Sequence, residues 1–180
     1  LLVARETGSS RSIENIQALI QTQITSDLLS MQKLLEETPS LFSSTLSANN
    51  VSPKQILDLL EDEISPAFPT SASVSTEIKY VPNALEDYLS PAFYLTPTID
   101  DYDNNVIYIN PASDYNNLEL YTTLAHEGFP GHLYQTVFFH SYNAGKNDAG
   151  VTDYTSLLRN LLYYGGYTEG YALYVENLSY

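Results

Sequence analysis

Between Ile13 and Leu35 apolar residues recur at steps of three and four: Ile13, Ile16, Ile20, Ile24, Leu28, Met31 and Leu35. That period lays one apolar stripe along a single long helix. Ser10 or Ser12 is placed to cap its start, and Pro39 ends it. A second helix opens at Ser52-Pro53-Lys54-Gln55. Ser sits at the N-cap, Pro at the first helical position, and Gln three residues on closes a capping box. Its apolar positions are read as Ile56, Leu59, Leu60 and Ile64, after which Pro66 and Pro69 break the chain. Both stripes are expected to form helix–helix core, with a wall or lid over a cleft as the functional alternative.

The pattern then changes period. From Val74 to Val81 apolar and polar residues alternate, and two short apolar runs follow at Ala92–Leu95 and Val106–Ile109. The runs flank Asp100-Asp101-Tyr102-Asp103-Asn104-Asn105, a turn-rich polar stretch. A small antiparallel β element is predicted here, and the strand from Val106 to Asn110 is a candidate edge for binding an extended peptide by β-addition. Asp101 and Asp103 have the alternate spacing of a calcium loop. No glycine turn or distal glutamate completes one, so a solvated turn is expected. Helical spacing resumes at Asn117 with Leu118, Leu120, Tyr121, Leu124 and Ala125. The fold class read from these patterns is mainly α with a small antiparallel β element.

Charge narrows the function. With 22 Asp and Glu against 7 Lys and Arg the net charge is −15, and no basic cluster exists to neutralise phosphates. Nucleic acid is excluded as a partner, and an anionic membrane surface is disfavoured. No apolar run approaches the ~20 residues of a spanning helix, so no membrane insertion is expected. With no Cys, any transition metal must be held by His, Asp or Glu. Composition also breaks near residue 80. All 16 Tyr lie at or beyond Tyr80, and residues 81–180 hold 12 acids and 2 bases. Two regions are therefore read: 1–79, helical with a Ser/Pro linker, and 80–180, which carries the chemistry. The chain starts without Met and stops inside a helical pattern, which suggests a segment of a longer protein. Strong acidity without Cys would suit an extracytoplasmic location.

The chemistry concentrates in His126-Glu127-Gly128-Phe129-Pro130-Gly131-His132. A metal hydrolase needs imidazole ligands, an open coordination position, and a carboxylate within reach of a water. A His-Glu pair on a helix offers the first ligand and the base together. The familiar zinc motif repeats His after four residues, on the same helical face. Here the step is six, which on a regular helix turns ~600° and rises ~9 Å, so the rings would point apart. Pro130 lacks an N–H and clashes with the carbonyl four residues back. The helix must therefore bulge or break between Gly128 and Gly131, which would return His132 to the side of His126. A third ligand is expected from a later helix. There Glu169 and Glu176 are two turns apart and share a face. Glu169, close after Gly165-Gly166, is favoured. Glu176 is either a partner orienting a histidine or a surface charge.

HEGFPGH followed by EGYALYVE resembles the HExxPGH…EGWALYxE signature of a bacterial family long catalogued as a domain of unknown function. That family looks related to gluzincin zinc metallopeptidases. Pro91-Ala92-Phe93-Tyr94 and Ile107-Tyr108-Ile109-Asn110 are similar to two further family elements. The likeness covers about residues 80–180 well and 1–79 loosely, and Tyr171 stands where the family usually has Trp. It implies a gluzincin-like fold. It further implies Zn²⁺ on His126, His132 and Glu169, Glu127 as catalytic base, and a peptide or amide as substrate. The alternatives are a hydrolase of a non-peptide or cell-wall amide, and a non-catalytic binding module with a structural or vestigial metal. His140 reads as packing or as a group supporting a metal ligand from behind, Tyr163, Tyr164 and Tyr167 as packing or as donors to an oxyanion, and Arg159 as either a substrate contact or an ion-pair partner.

Overall fold

A computed structural model of the chain describes residues 2–40, 51–64, 67–98, 103–113, 117–143 and 164–179. The chain divides into two compact units, residues 1–47 and 48–180. The first contains α1 (Leu2–Thr7) and α2 (Ile13–Glu37). Ser12 is the N-cap of α2, its hydroxyl accepting from the Asn15 N–H at 3.3 Å. Within its own unit α2 buries no residue, so the stripe expected to form helix–helix core does not do so there. Among the described residues of that unit only the six-residue α1 accompanies it, too short to cover a 25-residue face.

The second unit holds α3 (Pro53–Glu63), β1 (Ser75–Tyr80), a 3₁₀ turn at Asn83–Tyr88, β2 (Ala92–Leu95), β3 (Asn104–Ile109), α4 (Asn117–Glu127), α5 (His132–Asn143) and α6 (Gly165–Leu178). The capping box at the start of α3 is complete, with the Ser52 hydroxyl accepting from the Gln55 N–H and the Gln55 side chain accepting from the Ser52 N–H. α3 buries Ile56, Leu57 and Leu60, while Leu59 is exposed; the inward face is rotated from the one read off the sequence. These residues join the core of the second unit. The compact units therefore part after Ser47 and not at the compositional break near residue 80, because the apolar face of α3 is buried against the sheet and α4.

The sheet is mixed rather than purely antiparallel, with strand order β1-β3-β2. β2 pairs antiparallel with β3, Ala92 opposite Ile109 and Leu95 opposite Val106. β1 pairs parallel with β3, Ser75 opposite Asn104 and Tyr80 opposite Ile109. β3 is thus the central strand. Its backbone is engaged on both sides, which removes it as an edge for peptide addition. Alternation sends Asn105, Ile107 and Ile109 of β3 into the core. Asn105, expected in a solvated turn, is instead buried, and its Oδ1 accepts from the Tyr94 hydroxyl at 2.7 Å. Burial of this amide is compatible with stability because it is hydrogen-bonded. Ile107 and Ile109 meet Leu57 and Leu60 of α3, Leu120, Leu124 and Ala125 of α4, and Leu133 and Val137 of α5 in one cluster. No helix of the described residues is long and apolar enough to cross a membrane.

Candidate metal centre

α4 delivers the first two candidate side chains. Leu120, Leu124 and Ala125 face the core, and this orientation leaves His126 and Glu127, its last two residues, half-buried at the helix end. The helix does break where the spacing requires. Gly128 still donates to the Leu124 carbonyl at 2.8 Å, the Phe129–Pro130 bond is cis, and α5 begins at His132. Phe129 is buried and anchors the turn. Gly131 lies against the end of α4 so closely that an added Cβ would stand 1.7 Å from the His126 carbonyl oxygen. Only a residue without a side chain permits that approach. Through this turn the imidazoles of His126 and His132, six residues apart, come to a centroid separation of 4.8 Å with their planes at 83°.

α6 supplies the carboxylates across from the histidines. Glu169 Oε2 lies 3.4 Å from Nε2 of His132 and 3.7 Å from Nε2 of His126. Two turns on, Glu176 Oε2 is 2.9 Å from Nδ1 of His126. The α6 helix is tied to the turn between the histidines by Tyr171, whose hydroxyl donates to the Pro130 carbonyl at 2.9 Å. That tie was not legible in the sequence, where Tyr171 registered only as an aromatic in place of Trp.

Glu127 occupies a different corner. Its Oε2 accepts the backbone N–H of Tyr94, on β2, at 2.8 Å. Burial raises the Glu127 pKa above the ordinary carboxylate range. The Tyr94 N–H and His126 oppose that rise, and Glu169 and Glu176 add to it. Burial likewise lowers the pKa of His132, against the pull of Glu169, and so favours the neutral imidazole that can act as a ligand.

Among the described residues, His126, Glu127 and His132 each present a donor atom within 4.8 Å of the others, a group able to hold a metal ion. Glu169 stands as close to both Nε2 atoms, though its side chain is 57% exposed. Two imidazole nitrogens and a carboxylate oxygen suit a divalent transition metal, and the donor set fits such an ion. His140 is buried near the end of α5, edge-on to Phe139, and burial lowers its pKa. It is not one of the three residues grouped as able to hold a metal ion. Tyr164 and Tyr167 are exposed at the start of α6. Tyr163 and Arg159 lie outside the described residues.

A family model described as "Bacterial protein of unknown function (DUF885)" matches residues 4–180. The match reaches into the helical region that, from its motifs, resembled the family only loosely. No curated protein matches the chain. The fold is similar to that of the crystal structure of "the putative lipoprotein from Colwellia psychrerythraea", with a TM-score of 0.76 at 20% identity. The alignment covers 99% of this chain and 33% of that one, so this chain spans about a third of its length.

Proposed function

The chain belongs to the DUF885 family of bacterial proteins, and we propose that it is a zinc-dependent hydrolase cleaving a peptide or amide bond. One observation carries the reading: Glu169 Oε2 faces Nε2 of both histidines, while a second, more buried carboxylate, Glu127, is held separately by the Tyr94 N–H. The two carboxylates thereby divide the labour. Glu169 is assigned with His126 and His132 as a ligand, and Glu127 as the base. Zinc, when bound, supplies polarisation of a carbonyl oxygen and acidification of water.

The chain's own residues handle the protons. The Tyr94 N–H fixes Oε2 of Glu127 and leaves Oε1 to accept a proton from the attacking water. As the water oxygen bonds to the carbonyl carbon and the C–N bond breaks, Glu127 passes that proton to the leaving amine. A pKa raised by burial suits a group that must both take and return a proton near neutrality. Kinship with gluzincin peptidases is part of the same proposal and is supported by the order of the motif residues and the later Glu169. An extracytoplasmic location is supported by a structural neighbour described as a lipoprotein.

The test is hydrolysis of a defined peptide mixture, read by mass spectrometry, for the zinc-loaded chain and for Glu127→Gln. The native chain is expected to cleave, and the variant to keep its zinc while losing about 10²-fold or more of the rate. Equal rates in both, or no cleavage by zinc-loaded native protein, would overturn the catalytic reading. The second result, with zinc bound, would leave a binding module.

A further inference from the structure

The side chain of Glu176 has no part in the division of labour above, yet its Oε2 lies 2.9 Å from Nδ1 of His126, closer than Glu169 Oε2 lies to Nε2 of either histidine. An ionised carboxylate only accepts hydrogen bonds, so a neutral His126 in this contact carries its proton on Nδ1. The lone pair then resides on Nε2, the nitrogen 3.7 Å from Glu169 Oε2. The two carboxylates of α6 therefore address opposite nitrogens of one ring. Their spacing of seven residues, two helical turns, puts both on the face turned to His126.

We propose that Glu176 is a positioning residue: it fixes His126 in the Nδ1–H tautomer and presents Nε2 to the metal. Without an acceptor at Nδ1 the proton is free to move to Nε2, which removes the lone pair a metal needs, and the ring is free to turn. The Glu176 side chain is 30% exposed, less than the 57% of Glu169, as suits a group held inward by the ring. Immediately before it Val175 is buried, and three residues before that so is Ala172, which anchors this stretch of α6 against the unit and sets the direction of Glu176.

The inference rests on the metal-site reading, and two readouts on the full chain separate them. Long-range ¹⁵N–¹H NMR of metal-free protein near pH 8 reports the tautomer of His126, with no metal or activity involved. Zinc affinity is measured beside it by competition with a chromophoric chelator. The native chain is expected to show the Nδ1–H tautomer. Glu176→Gln, whose amide oxygen still accepts, is expected to keep that tautomer. Glu176→Ala is expected to populate Nε2–H and to bind zinc about 10–100-fold more weakly. A merely structural role would leave the tautomer unchanged. An Ala variant with native tautomer and native zinc affinity overturns the role of Glu176. Native protein that holds the Nδ1–H tautomer but binds no zinc overturns the metal reading and leaves the orienting contact standing.

Discussion

Gly131 and the carbonyl of His126 are in such close apposition that no side chain fits between them: an added Cβ would lie 1.7 Å from that oxygen and 2.4 Å from the carbonyl carbon. The obstacle is backbone, which cannot swing aside. Gly131→Ala is therefore expected to push α5 away from the end of α4 and separate the two imidazoles. Urea denaturation should show a loss of about 3 kcal/mol or more, at the upper end of overpacking effects, and the variant should bind no metal. Native stability in this variant would contradict the described turn.

Gly170 provides the opposite case. It lies inside α6, and among the described residues an added Cβ would meet nothing within 4 Å. Glycine weakens a helix interior by about 0.5–1 kcal/mol relative to alanine. Gly170→Ala is expected to raise stability by that amount in a thermal melt, with zinc binding unaltered. A fall in stability would mean that α6 is packed differently around this position.

Tyr171→Phe isolates the tie between α6 and the turn. The change removes only the hydroxyl that donates to the Pro130 carbonyl. A single hydrogen bond of this kind contributes about 1 kcal/mol net. The expected outcome is that loss in denaturant, together with weaker zinc binding, since α6 carries Glu169 and Glu176. Loss of stability without any change in affinity would show that the tie does not transmit to the site.

The metal-free protein should also lose stability on acidification. Burial lowers the pKa of His140 from the usual value, and His132 shares the direction. The unfolded chain then binds more protons than the folded one below the ordinary histidine pKa of about 6.5. The stability associated with neutral His140 is complete above that pH and is lost as the pH falls through its lower folded pKa. Glu127, with its raised pKa, contributes with the opposite sign, so its stabilisation is present in acid and fades as pH rises through the folded value. His140→Gln removes one histidine contribution, and its stability profile between pH 5 and pH 7 should be flatter than that of the native chain. Parallel profiles would remove His140 as a source of the acid sensitivity.

How much of this was legible in the sequence depends on how local the signal was. The cap at Ser52, a cap at Ser10 or Ser12 that the structure assigns to Ser12, the break between Gly128 and Gly131, and the shared face of Glu169 and Glu176 all follow from residues a few positions apart. Spacing alone left Glu176 between two roles, and the proposed orienting role rests on a contact to His126 that spacing does not reveal. Leu57 and Leu59 are both apolar and flank the same stripe, so periodicity could not say which side of α3 would meet Ile107 and Leu124. The parallel pairing of β1 with β3 joins strands separated by a 3₁₀ turn and by β2, a relation that no local pattern encodes. Asn105 looked like turn chemistry because its partner, the Tyr94 hydroxyl, is brought to it by strand pairing. The Tyr94 N–H that holds Glu127 is a backbone group and leaves no mark on the side-chain sequence. Tyrosine content marks where composition changes and does not report which apolar face α3 covers.

The central claim, that His126, His132 and Glu169 form one metal centre, is tested most directly by zinc stoichiometry of the chain after loading and desalting. One zinc per chain is expected for the native protein and for Glu127→Gln, and substoichiometric zinc for His132→Ala and Glu169→Gln. Stoichiometric zinc in both ligand variants, or none in the folded native chain, would contradict it.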